Sequence, residues 1–198
     1  MARSSRAAMA MSLLSSALFL LLALPAACES SALEDTCRSV AAGHPSIGYD
    51  YCVRAFQADK ASAAAADARG LAAIAARIAG ARANATAARV AALSAAEKDA
   101  RRRDRLAVCE EVYSDAVDQL AQAAEDIAAG GGAAEEGGGD DAARDAVTQL
   151  SAALDAPGTC EDAFGEADDT SPLAAEDAEF KKLATIALAV AASLTPPP

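Results

Sequence analysis

Residues 106–127 read LAVCEEVYSDAVDQLAQAAEDI. Leu106, Cys109, Tyr113, Ala116, Leu120, Ala123 and Ile127 follow one another in steps of three and four, which lays them along one stripe of a helix about six turns long. Six acids and two glutamines are among the residues between. A helix with one apolar stripe needs a partner to bury it, so the segment predicts helix-on-helix packing.

The same spacing recurs on both sides. Ala143, Val147, Leu150 and Leu154 mark a second stripe, and Leu173, Phe180, Leu183, Ala187, Val190 and Leu194 a third. Prolines 196–198 stop that last helix. Upstream, Leu71, Ile74 and Ile78 open a fourth stripe, read as continuing through Ala85 and Ala92 with Leu93 beside it. Four long helices with connections near residues 97–105, 130–139 and 156–171 predict an all-α, up-and-down four-helix bundle. Ahead of it, Leu33, Cys37 and Val40 mark a short helix, His44-Pro45-Ser46 a turn, and residues 49–58 a second short helix, together an N-terminal helical hairpin. With 4% aromatic residues and no tryptophan, the core must be Leu, Ile, Val and Ala, and alanine lets helices approach closely.

Residues 1–28 have the layout of a secretory signal peptide: Arg3 and Arg6, an apolar run over 13–24, then Ala26, Ala27 and Cys28. The run is shorter than the roughly 20 residues that span a bilayer, and Glu29, Glu34 and Asp35 follow at once. A rival reading takes residues 24–28 as a lipidation box on Cys28, which Pro25 fits poorly. The domain is then 29–198, a length suited to a single core.

Cleavage leaves four cysteines, Cys37, Cys52, Cys109 and Cys160, the even count of a fully paired secreted chain. Sequence alone allows three connectivities. Topology favours the sequential one: Cys37 and Cys52 staple the hairpin, while the start of the second long helix, near Cys109, lies beside the end of the third, near Cys160. The mature chain carries 15 basic and 29 acidic residues, net −14. That charge disfavours nucleic acid and other polyanions and suits a basic protein partner, or serves solubility alone.

Signs of catalysis are sparse. His44 precedes a proline in a turn, and no Gly-x-Ser-x-Gly, phosphate loop or His-Glu-x-x-His pattern occurs. The pairs Glu110/Glu111, Asp140/Asp141 and Asp168/Asp169 are adjacent and so do not share a helix face. The cysteines lack zinc-site spacing. Neither an enzyme nor a metal or cofactor is expected. Arg101, Arg102, Arg103 and Arg105 form a basic cluster read as part of the connection into the second long helix, solvated or offered to an acidic rim. Six glycines within residues 130–141, around Glu135 and Glu136, predict a solvated linker. Asn84-Ala85-Thr86 is a glycosylation sequon, open to use if Asn84 faces water.

Taken in order, TC (36–37), HPSIGYDYCVRAF (44–56), DARGLAAIA (67–75), CEEVYSDAVDQL (109–120), ALDAPGTCEDAF (153–164), SPLAAEDAEF (171–180) and LATIALAV (183–190) resemble the plant invertase and pectin methylesterase inhibitor family. The PSIGYDYC and TCEDAF segments look like its pollen-type invertase-inhibitor branch. The resemblance implies a secreted protein of the apoplast and cell wall, the pairs Cys37–Cys52 and Cys109–Cys160, and a stoichiometric block of pectin methylesterase or acid invertase without chemistry. The best-defined invertase inhibitors carry Pro-Lys-Phe before the fourth cysteine, where this chain reads GGGAAEEGGGDDAARDAV, so pectin methylesterase is the preferred target and invertase the alternative. A further alternative is a non-inhibitory bundle that binds a ligand between its helices, for which alanine offers little lining.

Overall fold

The computed structural model describes residues 31–131 and 138–195. The predicted leader, the centre of the glycine-rich segment and the terminal prolines lie outside them. The helices are α1 (Ala32–Gly43), α2 (Tyr49–Gln57), α3 (Ala68–Ala96), α4 (Ala100–Gly130), α5 (Gly138–Leu154), α6 (Ala156–Gly165) and α7 (Ala174–Ala192), with a 3-10 turn at Lys60–Ala64. In the bundle, α3 packs against α4 and α7, and α5 packs against the same two. The predicted all-α bundle with its N-terminal hairpin is the architecture observed.

Local chemistry sets the boundaries. The Asp67 side chain accepts from the Gly70 N–H at 2.8 Å and starts α3; Asp99 does the same for α4 through the Arg102 N–H, also at 2.8 Å. Between α1 and α2 the chain reverses at Gly48, whose φ of 70° a residue with a Cβ rarely adopts. At the other end, a Cβ on Gly130 would come within 2.7 Å of the Arg69 guanidinium, which donates to the Ile127 carbonyl in the last turn of α4.

All seven residues of the 106–127 stripe are buried. Of the 37 buried hydrophobic residues among those described, 16 are alanine, so the few large side chains, Tyr113, Phe56, Phe164 and Phe180 first, set the core's shape. Two disulfides tie it. Cys37–Cys52 joins α1 to α2 with a Cα separation of 5.6 Å, and Cys109–Cys160 joins α4 to α6 at 4.6 Å across a sequence separation of 51.

Five expectations need correction. In α3 the buried stripe is Leu71, Ala72, Ala75, Ala79, Ala83, Thr86 and Val90, whereas Ala85 and Ala92 face solvent. Alanine on every side of that helix left no contrast to fix the register. In α5, Ala146 and Ala153 take the buried places beside Ala143 and Leu150, with Val147 and Leu154 only half-buried. Residues 156–165 are helical rather than part of a connection, because Pro157 sits in the first turn of α6, where its missing N–H is no loss. The arginine cluster lies inside α4, and the glycine segment gives its two ends, Gly130 and Gly138, to helices.

Candidate functional site

Arginines in the first turns of a helix oppose its dipole, and here they are compensated. The Arg102 guanidinium meets both Asp169 carboxylate oxygens at 2.6 and 2.7 Å, and Arg105 reaches the same carboxylate at 2.9 Å. Arg102 also pairs with Glu97 at 3.3 Å. Both guanidinium carbons sit over the Phe164 ring, 5.4 and 5.5 Å from its centroid. Desolvation is the largest single influence on Asp169 and raises its pKa, but the Thr170 N–H and the two arginines together outweigh it and hold the carboxyl below its ordinary value. Half of the basic cluster is thus a clasp holding the first turns of α4 to the α6–α7 connection, and Arg101 and Arg103 remain exposed. Asp169 is therefore no solvated loop residue; Asp168 beside it has the left-handed φ of 53° that turns the chain toward the clasp.

Among the described residues one carboxyl is buried in the core. Asp177, 1% exposed in the first turn of α7, accepts a 2.5 Å hydrogen bond from the Tyr113 hydroxyl of α4, while its other oxygen meets no partner. Burial pushes its pKa up to about 6; the Tyr113 bond pulls down, and Glu161 of α6 and Glu176 of α7 push up further. Burial, then the Asp177 bond and charge, push the Tyr113 hydroxyl up in turn. Because the folded value lies above the unfolded one of about 3.9, the contribution of Asp177 to stability is fully present below pH 4, declines as pH rises toward 6, and is lost above it. About two pH units at about 1.4 kcal/mol each give roughly 3 kcal/mol. Urea midpoints of wild type and Asp177→Asn, measured from pH 4 to 7, are expected to diverge over this window, the wild type losing stability that the variant keeps. Parallel curves would refute a buried, titrating Asp177.

Charge is unevenly distributed. Residues 106–180 carry 20 acids and a single base, Arg144, and on α4 Glu110, Glu111, Asp115, Asp118 and Glu125 are exposed. Helix α3 has four arginines and no acid. Whole-chain charge hid this partition, which a segment-by-segment sum exposes. The exposed acids of α4 are the kind of surface that a basic partner would meet favourably.

His44 lies in the α1–α2 turn, and no hydrogen bond joins its ring to Ser39 or Ser193 in the groove they share; the Ser193 hydroxyl donates to the Val190 carbonyl at 2.6 Å. Glu110 and Glu111 face water, and Asp140 and Asp141 stand in the first turn of α5. Among the described residues no group of His, Cys, Asp and Glu is arranged to hold a metal, and no helix is long and apolar enough to cross a membrane. The apolar pocket lined by Phe56, Ala75, Ile78, Leu183 and Ile186 has only about 10 Å³ of room. A larger groove of about 470 Å³, between Tyr51, Arg54, Ile78, Arg82, Glu179 and Leu183, is open to solvent. Whatever the protein does, the described residues offer surface for it rather than a cavity.

A family model described as plant invertase/pectin methylesterase inhibitor matches residues 31–190, nearly the whole of the described chain. The chain belongs to that family. A protein of Platanus acerifolia named "Putative invertase inhibitor" is 30% identical over 172 residues, covering 86% of this chain and 89% of that one. One of the same name from Platanus orientalis is 29% identical over 159 residues, covering 80% and 86%. Among solved structures, a pectin methylesterase inhibitor from Arabidopsis thaliana superimposes with a TM-score of 0.56 at 21% identity, over 85% of this chain and 99% of that one. A mutant form of such an inhibitor from Arabidopsis gives 0.63 at 22%, over 85% and 100%. At these identities the structural likeness speaks for the fold, and the plant invertase/pectin methylesterase inhibitor family is a family of inhibitor proteins.

Proposed function

We propose that the protein is secreted into the plant cell wall space through its N-terminal segment and there inhibits pectin methylesterase, as a one-to-one complex that covers the enzyme's substrate cleft. The family match over residues 31–190 carries this reading. The core filled by packed side chains supports an action on the outer surface. Residues 130–147 lack the Pro-Lys-Phe of the best-defined invertase inhibitors, which favours the esterase. Acid invertase is the second reading, favoured by the names of both Platanus relatives.

The test is titration of the mature protein against a plant pectin methylesterase and an acid invertase in parallel, at mildly acidic pH. Esterase activity is expected to fall to an end point at one equivalent, with an interface of about 800 Å² per partner, and invertase activity to stay. Association should slow about tenfold between low and high salt if the exposed acids of α4 meet a basic rim. Loss of invertase activity alone would reverse the target, and loss of neither would end the inhibitor reading.

A further inference from the structure

Helix α3 is poor in solvated groups for a surface helix. Its exposed positions are largely alanine, including Ala81, Ala85, Ala88, Ala91 and Ala92, and it carries no acid, in a protein whose other long helices all bear carboxylates. Asn84 stands in the middle of this face. It is exposed, its amide has no hydrogen-bonding partner, and Ala81 and Ala88, its neighbours a turn to either side, are small and exposed as well. Ala83, Thr86 and Val90 mark the opposite, buried side. Asn84 is exposed, and among the described residues no hydrogen-bond partner competes for its amide.

We infer that Asn84 is an N-glycan attachment site and that the sugar covers the alanine face of α3. The donor is an oligosaccharide linked to a lipid diphosphate. The Asn84 Nδ2 forms a bond to the anomeric carbon, the bond from that carbon to the diphosphate oxygen breaks, and one amide proton is released, with no oxidation or reduction. The sequon also needs the Thr86 hydroxyl, which in the fold is buried and donates to the Arg82 carbonyl at 3.1 Å. Two residues apart on a helix, Asn84 and Thr86 point about 200° away from each other. Transfer therefore precedes the formation of α3, on the nascent chain, and folding then carries the threonine inward and leaves the sugar outside.

The inference rests on the entry into the secretory pathway proposed above. The full chain with its own N-terminus, expressed in plant cells as wild type, Asn84→Gln and Thr86→Ser, tests it by intact mass before and after peptide-N-glycosidase A. Wild type and Thr86→Ser should leave the cells with a heterogeneous added mass that the enzyme removes, and Asn84→Gln with none. Secreted wild type at the mass of the bare mature polypeptide would overturn the glycan and leave secretion standing. Retention of the wild-type chain in the cytosol would overturn both.

Discussion

Replacing Cys109 and Cys160 together by alanine is expected to lower unfolding stability by about 4 kcal/mol and the thermal midpoint by about 10 °C. The cross-link closes a loop of 51 residues, which includes most of α4, the glycine-rich segment and all of α5. An unfolded chain without it regains the freedom of that long loop, and the glycines make the loop more flexible still. The native state loses little contact, since both cysteines are fully buried and alanine keeps the Cβ of each. Alanine is chosen over serine to avoid burying two hydroxyls. The Cys37–Cys52 pair closes 15 residues, and its removal is expected to cost about 3 kcal/mol. Equal losses from the two deletions would argue against loop closure and for native-state packing as the source of the stabilisation. In that case the larger share of the effect would lie with α6, which Cys160 holds against α4 and which carries Phe164 into the arginine clasp.

Where a helix alternates large apolar residues with charge, its register could be read directly. The 106–127 stripe is buried at every position named for it, and Phe180, Leu183, Ala187 and Val190 are buried on α7. Where alanine fills every face, as in α3, periodicity carries no signal, and the exposed Ala85 and Ala92 were assigned inward. Residues 156–165, read as part of a connection, are a helix because a proline in a first turn is compatible with starting one, and Pro157 has that place in α6. The clasp was illegible for a different reason. Arg102 and Arg105 are 67 and 64 residues from Asp169, and nothing local in the chain pairs them. Asp177 likewise resembled the surface acids around it, because its burial depends on the rotation of α7 against α4 and not on its neighbours in sequence. Periodicity supplied the scaffold, topology favoured the sequential staples and the family resemblance implied the same pairs, while the partition of charge between α3 and the helices after it needed only the sequence and a finer count.

Phe180→Ala is expected to destabilise the protein by about 4 kcal/mol, at the upper end for a core truncation, with Phe180→Leu costing about 1. Part of the loss is the edge-to-face contact with Tyr113, whose ring centroid lies 5.4 Å away at an interplanar angle of 67°, a pair worth about 1 kcal/mol. The rest is a cavity that the surroundings cannot fill. Ala184 and Ala187 follow Phe180 on the same side of α7, Ala116 follows Tyr113 on α4, and a methyl group has no rotamer with which to swing into a void. Tyr113 is itself held by its bond to Asp177. Only a movement of whole helices could close the space, and the Cys109–Cys160 bond and the clasp on Phe164 restrain α4 and α6 from making it. A measured loss below about 1.5 kcal/mol would mean that the bundle slides shut, as an alanine interface without interlocking side chains could allow. That outcome would count against a rigid scaffold. An inhibitor that acts through its surface depends on such rigidity, because every residue left to order on binding subtracts from affinity.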